Sequence, residues 1–153
     1  MSSSCREPTA WAMRPRPGVA RAYGGVVVDE AGQVLLRAPT GGFGGYAWTF
    51  AKGRADEGEA PETAALREVH EETGVEAAIV RPLDGWFRGE TTDTRFFLMR
   101  AVHSSGPVDA ETAGLAWVDL PTALQMVAES GSRIGRARDE AVLRRAAALM
   151  AGR

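Results

Sequence analysis

At 153 residues, with 44% hydrophobic and 25% charged residues, the chain has room for one domain with a real core and the composition of an ordinary soluble globular protein. A net charge of −2 gives no electrostatic case for a nucleic-acid or membrane-surface partner, and no apolar run reaches the length of a membrane-spanning helix. The single cysteine, Cys5, excludes an intramolecular disulfide, and the first residues lack the apolar segment of a signal peptide, so the expected setting is soluble and cytoplasmic.

Residues 1–18 are rich in Ser, Arg and Pro and carry no periodicity; they read as a mobile tail, with Trp11 and Met13 as its candidates for docking, ahead of a single domain over residues 19–153. Residues 21–29 predict a strand whose apolar run Val26, Val27, Val28 suits burial on both faces, and residues 33–37 return as its hairpin partner after a turn closed by Gly32. Residues 38–46 predict a glycine-rich loop rather than a dinucleotide fingerprint, since no helix opens there; Phe43 and Tyr46 are its candidates for stacking on a base. Trp48, Thr49 and Phe50 predict a short strand and residues 51–60 a loop. Pro61 suits the first turn of a helix, Leu66 and Val69 its buried stripe, and Gly74 the position that ends it. Further strands are predicted over residues 75–80, 86–88, 95–102 and 115–118, with residues 89–93 as a polar turn and residues 104–107 as a loop. Helices are predicted from Pro121 to about Ser130 and from about Asp139 to Met150, separated by Gly131 and Gly135. This order predicts an α/β or α+β fold with a mixed sheet covered by helices.

The most informative stretch is residues 53–75, GRADEGEAPETAALREVHEETGV. Glu68, Glu71 and Glu72 stand at i, i+3 and i+4, which puts their carboxylates on one helix face. Like charges so placed repel, and Glu71 and Glu72 also oppose the dipole at the helix C-terminus. Two readings follow: a solvated acidic face, or oxygen ligands for a hard cation such as Mg²⁺. Of the 18 basic residues only Lys52, immediately before Gly53, is a lysine, which suits a compact ammonium beside phosphate oxygens.

The stretch resembles the signature of the MutT-like Nudix hydrolases, G-x5-E-x7-R-E-U-x-E-E-x-G-U with U a bulky aliphatic, at Gly53, Glu59, Arg67, Glu68, Val69, Glu71, Glu72, Gly74 and Val75, with no fixed position departing from it. The resemblance implies the αβα Nudix sandwich and hydrolysis of a nucleoside diphosphate linked to another moiety, or of a related polyphosphate, with Mg²⁺ or Mn²⁺. By position, Glu68, Glu71 and Glu72 match the family's metal ligands, and the main-chain carbonyl of Lys52 matches a common further ligand. Arg67 and Glu59 match the pair that holds the loop on the helix, and Gly53 and Gly74 look structural. The general base of the family is either a box glutamate, matching Glu68, or a glutamate on a later loop, for which Glu111 is the candidate and Glu90 and Asp93 are weaker ones.

The substrate is less legible. The lead-in W-x-x-A-K-G resembles the W-x-x-P-K-G of enzymes acting on dinucleoside polyphosphates, diphosphoinositol polyphosphates or nucleotide 5′ ends, with Ala51 in place of the proline. Lys52, Arg54, Arg88 and Arg95 are the candidate clamp on a phosphate chain. A small-molecule nucleotide or polyphosphate is the expected partner, with an oxidised nucleoside triphosphate, a diphosphoinositol polyphosphate or an RNA 5′ end as alternatives. A nucleotide-sensing binding module is the rival without catalysis. Monomer and homodimer both stay open.

Overall fold

The structure, a computed structural model, describes residues 9–104, 106 and 109–152, and of residues 43 and 44 the backbone alone. In chain order the elements are β1 (Trp11–Ala12), β2 (Ala20–Val28), β3 (Val34–Pro39), a 3-10 helix (Thr40–Gly45), β4 (Ala51–Gly53), α1 (Pro61–Thr73), β5 (Val75–Pro82), β6 (Trp86–Arg88), β7 (Thr92–Ser104), β8 (Thr112–Val118), α2 (Leu120–Val127) and α3 (Arg133–Ala151). The strands form one sheet in the order β1-β6-β7-β2-β3-β8, with β4 added to β2 and β5 to β7. β2 and β7 run parallel, from Ala20 opposite Thr92 to Val28 opposite Arg100, while the other strand pairs are antiparallel, so the sheet is mixed.

The period-two alternation of the strands sorts the core into two layers. Val26, Val28, Leu36, Phe96 and Leu98 point to one face and pack with Ala123 and Val127 of α2 and Val142, Leu143 and Ala146 of α3. Val27, Leu35, Phe97 and Met99 point to the other and pack with Ala65 and Val69 of α1. Each fully buried Val, Leu or Phe contributes roughly 1.5–3 kcal/mol, and with helices on both faces the result is the expected αβα sandwich. No helix among the described residues is long and apolar enough to cross a membrane.

α1 starts at Pro61 without a side-chain cap and ends at Gly74, whose φ of 73° is the left-handed conformation that stops a helix. Its buried face differs from the predicted one: Leu66 is only half-buried, whereas Glu72 and Thr73 join Ala64, Ala65 and Val69 inside.

Four other expectations are corrected. Residues 9–18 are not a free tail: Trp11 and Ala12 pair with Phe87 and Trp86, and Arg16 is bound to Asp93. Residues 1–8, including Cys5, lie outside the described residues. The strand expected at Trp48, Thr49 and Phe50 falls at Ala51–Gly53 instead, with only a bridge from Thr49 to Arg37 before it. Thr92 and Asp93 belong to β7, not to a turn, because the fully buried Asp93 carboxylate is satisfied by Arg16. α3 begins at Arg133, well ahead of Asp139: the Ser132 side chain caps the N–H of Gly135, and a Cβ at Gly135 would run into the Tyr46 ring. The loop expected at residues 104–107 falls partly outside the described residues.

Candidate active site

The site is built where β4, the loop that follows it and α1 meet. The loop is fixed by one arginine. Arg67 donates from Nε to Glu59 Oε2 at 2.8 Å and from Nη2 to Glu59 Oε1 at 2.9 Å, a fork on a carboxylate, and Nη2 also reaches the Arg54 carbonyl at 3.1 Å. The Arg67 guanidinium, together with the Asp56 N–H, pulls the Glu59 carboxyl down to about 2. The same guanidinium lies 3.2 Å from Glu68 and 3.0 Å from Glu71. Arg67 thus offsets part of the repulsion that three glutamates on one face create.

Glu72 is 3% exposed. Its Oε1 accepts from the Lys52 backbone N–H at 3.3 Å and lies 3.3 Å from Arg37 Nε. Burial pushes its carboxyl up to about 8 against the pull of Arg37, and the neighbouring Glu68 adds to the rise. Burial also raises Glu68, against its hydrogen bond with Glu72 and the charge of Arg67. Burial and mutual repulsion thus favour the protonated form of both carboxyls, more strongly at Glu72. Gly53 makes room for them, since a Cβ there would collide with the Glu68 carboxylate.

Among the described residues no three His, Cys, Asp or Glu side chains already converge as a metal cage. Glu68 and Glu72 converge as a pair, and Glu71 is turned to Arg67. Oxygen donors alone, two of them carboxyls whose charge burial disfavours, fit a small hard divalent cation that keeps several waters and would offset that charge.

Arg37 is the residue that sequence reasoning missed. It sits in the apolar run of β3, is 8% exposed, and donates from Nε to Thr112 Oγ1 at 2.9 Å and from Nη2 to the Glu111 carbonyl at 2.7 Å. It therefore ties Glu72 of α1 to the start of β8. A lone arginine inside VLLRAP was the available signal. A cavity of about 320 Å³ opens here, lined by Arg37, Thr40, Lys52, Glu72, Ala110 and Glu111. Glu111 is exposed and lines this cavity.

Of the four candidate phosphate contacts only Lys52 lines that cavity. Arg54 is exposed and gives its carbonyl to Arg67. Arg95 lies over the Trp86 ring at 5.2 Å, with Arg21 over the same ring at 5.5 Å. Arg88 lines a separate cavity with Thr9, Ala10 and Glu90. Asp93 is held by Arg16, and Glu90 accepts from Ser132 Oγ at 3.0 Å.

Lys52 is half-buried, and burial together with Arg138 lowers its ammonium to about 8. Its Nζ lies 5.9 Å from the Tyr46 ring centroid, and Arg138 Cζ lies 5.0 Å from it. Tyr46 is thus engaged with two cations; the side chain of Phe43 lies outside the described residues. Thr49, Arg138 and Asp139, which the sequence reading did not single out, form a buried polar group beside them.

The NUDIX domain model matches residues 18–136. A Mycobacterium tuberculosis protein bearing the name MutT4 is 31% identical over 160 residues, covering 92% of this chain and 62% of that one. An RNA pyrophosphohydrolase of Pseudomonas paraeruginosa is 41% identical over 78 residues, covering 49% of this chain and 43% of that one. The chain thus spans less than two thirds of the length of these curated relatives. Among solved structures, the Ap4A hydrolase of C. elegans in a binary complex has a TM-score of 0.68 at 23% identity, covering 88% of this chain and 100% of that chain, which speaks for the fold. With the signature intact, the glutamates in place on α1 and the family match over most of its length, the chain belongs to the Nudix family.

Proposed function

We propose that the protein is a divalent-metal-dependent pyrophosphohydrolase that cleaves a nucleoside-diphosphate-linked or dinucleoside polyphosphate substrate by water attack on phosphorus. The observation that carries this reading is the buried Glu72 paired with the partly buried Glu68, beside a cavity that also holds the Lys52 ammonium and Glu111. Glu68, Glu72 and the Lys52 carbonyl are the groups to hold Mg²⁺ or Mn²⁺, with Glu71 joining once released from Arg67. The cation, when bound, neutralises phosphate oxygens and acidifies water. Lys52 donates to the phosphate chain. Glu68 or Glu111 accepts the proton of the attacking water, and the phosphoanhydride P–O bond breaks to leave two phosphate products. Arg67 and Glu59 hold the loop that follows Gly53 in register.

The test is turnover with Mg²⁺ on a panel of diadenosine polyphosphates, nucleoside triphosphates including 8-oxo-dGTP, ADP-ribose, diphosphoinositols and 5′-triphosphorylated RNA. The relative named RNA pyrophosphohydrolase supports including the last. Turnover on at least one and its loss by orders of magnitude in Glu72→Gln support the proposal. No turnover on any of them at neutral or alkaline pH overturns it in favour of a binding module.

A further inference from the structure

Lys52 is the cation of the glutamate cavity that needs both a fixed position and free N–H donors to serve a phosphate. A carboxylate partner would fix it but also neutralise it and compete with the substrate. An aromatic ring attracts an ammonium through its quadrupole and occupies none of its three N–H groups. The Tyr46 ring, 5.9 Å from Nζ, is placed for this.

The ring is itself held by an unusual support. Arg138 and Asp139 are each 1% exposed and bonded to one another, Nε to Oδ1 at 2.9 Å. Asp139 Oδ2 accepts from Thr49 Oγ1 at 2.7 Å, and Arg138 Nη2 donates to the same hydroxyl at 3.2 Å. Arg138 lies over Tyr46, and Gly135, one turn earlier on α3, presses its backbone against the ring edge. Thr49 stands three residues before Lys52 in the same segment. The ring is therefore referred to one buried ion pair on α3, which Thr49, in the segment that leads to Lys52, also joins. A desolvated pair of this kind adds little stability over apolar packing, which leaves geometric definition as what it contributes.

We propose that Tyr46, fixed by Arg138, Asp139 and Thr49, is a positioning residue that holds the Lys52 ammonium against the cavity wall with its N–H donors free for a substrate phosphate. The inference rests on the reading of Lys52 as the phosphate contact.

The test is a double-substitution cycle in the full chain: Tyr46→Leu, Tyr46→Phe, Lys52→Met, and Tyr46→Leu with Lys52→Met. Two readouts are taken, KM and kcat on the best panel substrate and calorimetric binding of inorganic tripolyphosphate. Tyr46→Leu should raise KM and weaken tripolyphosphate by roughly 3- to 30-fold with kcat nearly unchanged. Tyr46→Phe, which keeps the ring, should restore binding to within about threefold. In the Lys52→Met background Tyr46→Leu should add nothing. The proposal is overturned if Phe is as damaging as Leu, or if the Leu effect is the same with and without the ammonium. Should Tyr46→Leu melt early, Tyr46→Met takes its place in the cycle. Failure of the wild type to turn over any panel substrate overturns the functional reading alone, and the tripolyphosphate cycle still decides this one; failure of the wild type to bind tripolyphosphate overturns this one.

Discussion

The backbone N–H of Lys52 donates to the buried carboxyl of Glu72 across 3.3 Å, joining the strand before the signature loop to the last turn of the signature helix. Arg37 approaches the same oxygen at 3.3 Å. That oxygen is thereby held by two donors from two strands.

Stability should depend on pH with a sign opposite to that of an ordinary salt-bridged carboxylate. Glu72 titrates near 4.5 in the unfolded chain and near 8 in the folded one. Between these values the folded protein holds a proton that the unfolded chain has released, so raising the pH through this window removes stability. Urea midpoints of the metal-free protein should fall from pH 5 to pH 8. If the pair holds the cation as proposed, Mg²⁺ should reverse the trend, since it would bind and stabilise the ionised carboxylates. Midpoints that stay level in EDTA across the window would contradict the assignment.

Arg67→Lys keeps the charge and loses the fork on Glu59 together with the bond to the Arg54 carbonyl. At roughly 1.5–3 kcal/mol per charged hydrogen bond, kcat/KM should fall at least tenfold. Hydrogen exchange should rise over residues 54–59 while the helix stays protected. Loss of activity with no change in that loop would mean that Arg67 acts on the glutamates alone.

Arg138→Met leaves Asp139 buried without its cation and should cost about 3–5 kcal/mol in urea unfolding. Replacing both, Arg138→Met with Asp139→Leu, should recover most of that stability while leaving Tyr46 unfixed. A double variant no more stable than the single one would show that the penalty is not an uncompensated charge.

Arg16→Ala tests whether the first described segment is part of the domain. Burial alone would raise Asp93, but the Arg16 guanidinium and backbone N–H more than compensate and hold it below its ordinary value of 3.8. A depressed carboxylate contributes stability that is present above that value and fades as the pH drops through the folded one. With Arg16 one-third exposed, the substitution should cost about 2–3 kcal/mol at pH 7, and less at pH 3. Thermal melts at the two pH values measure the difference.

Most of the architecture was legible because it is written in local periods. The apolar runs of β2 and β7, the proline and glycine that bracket α1, and the spacing of Glu68, Glu71 and Glu72 all act within a few residues. What was not legible depends on single side chains meeting across the chain. Arg16 and Asp93 lie 77 residues apart, Thr49 and Asp139 lie 90 apart, and neither pair leaves a periodic trace. Gly135 read as a helix breaker because local propensity says so, whereas the close approach of Tyr46 makes glycine the residue that fits there. Arg37 was passed over for the same reason: in a strand of apolar residues its partners, Glu72 and Thr112, are visible only once α1 and β8 are brought to it.

The parallel pairing of β2 with β7 bears on how the protein assembles. The β2 and β3 hairpin and α1 involve neighbours in sequence, but the register from Ala20 to Thr92 joins segments separated by the whole signature. Closing so long a loop costs entropy before any contact repays it, and topologies rich in such pairings fold slowly. β4 and α1 lie inside that loop, so the segments that carry the proposed cation site are brought against each other within the span that the β2 and β7 pairing closes. Chains in which this pairing is open would lack the proposed site in assembled form, and a divalent cation that binds it would favour the closed sheet.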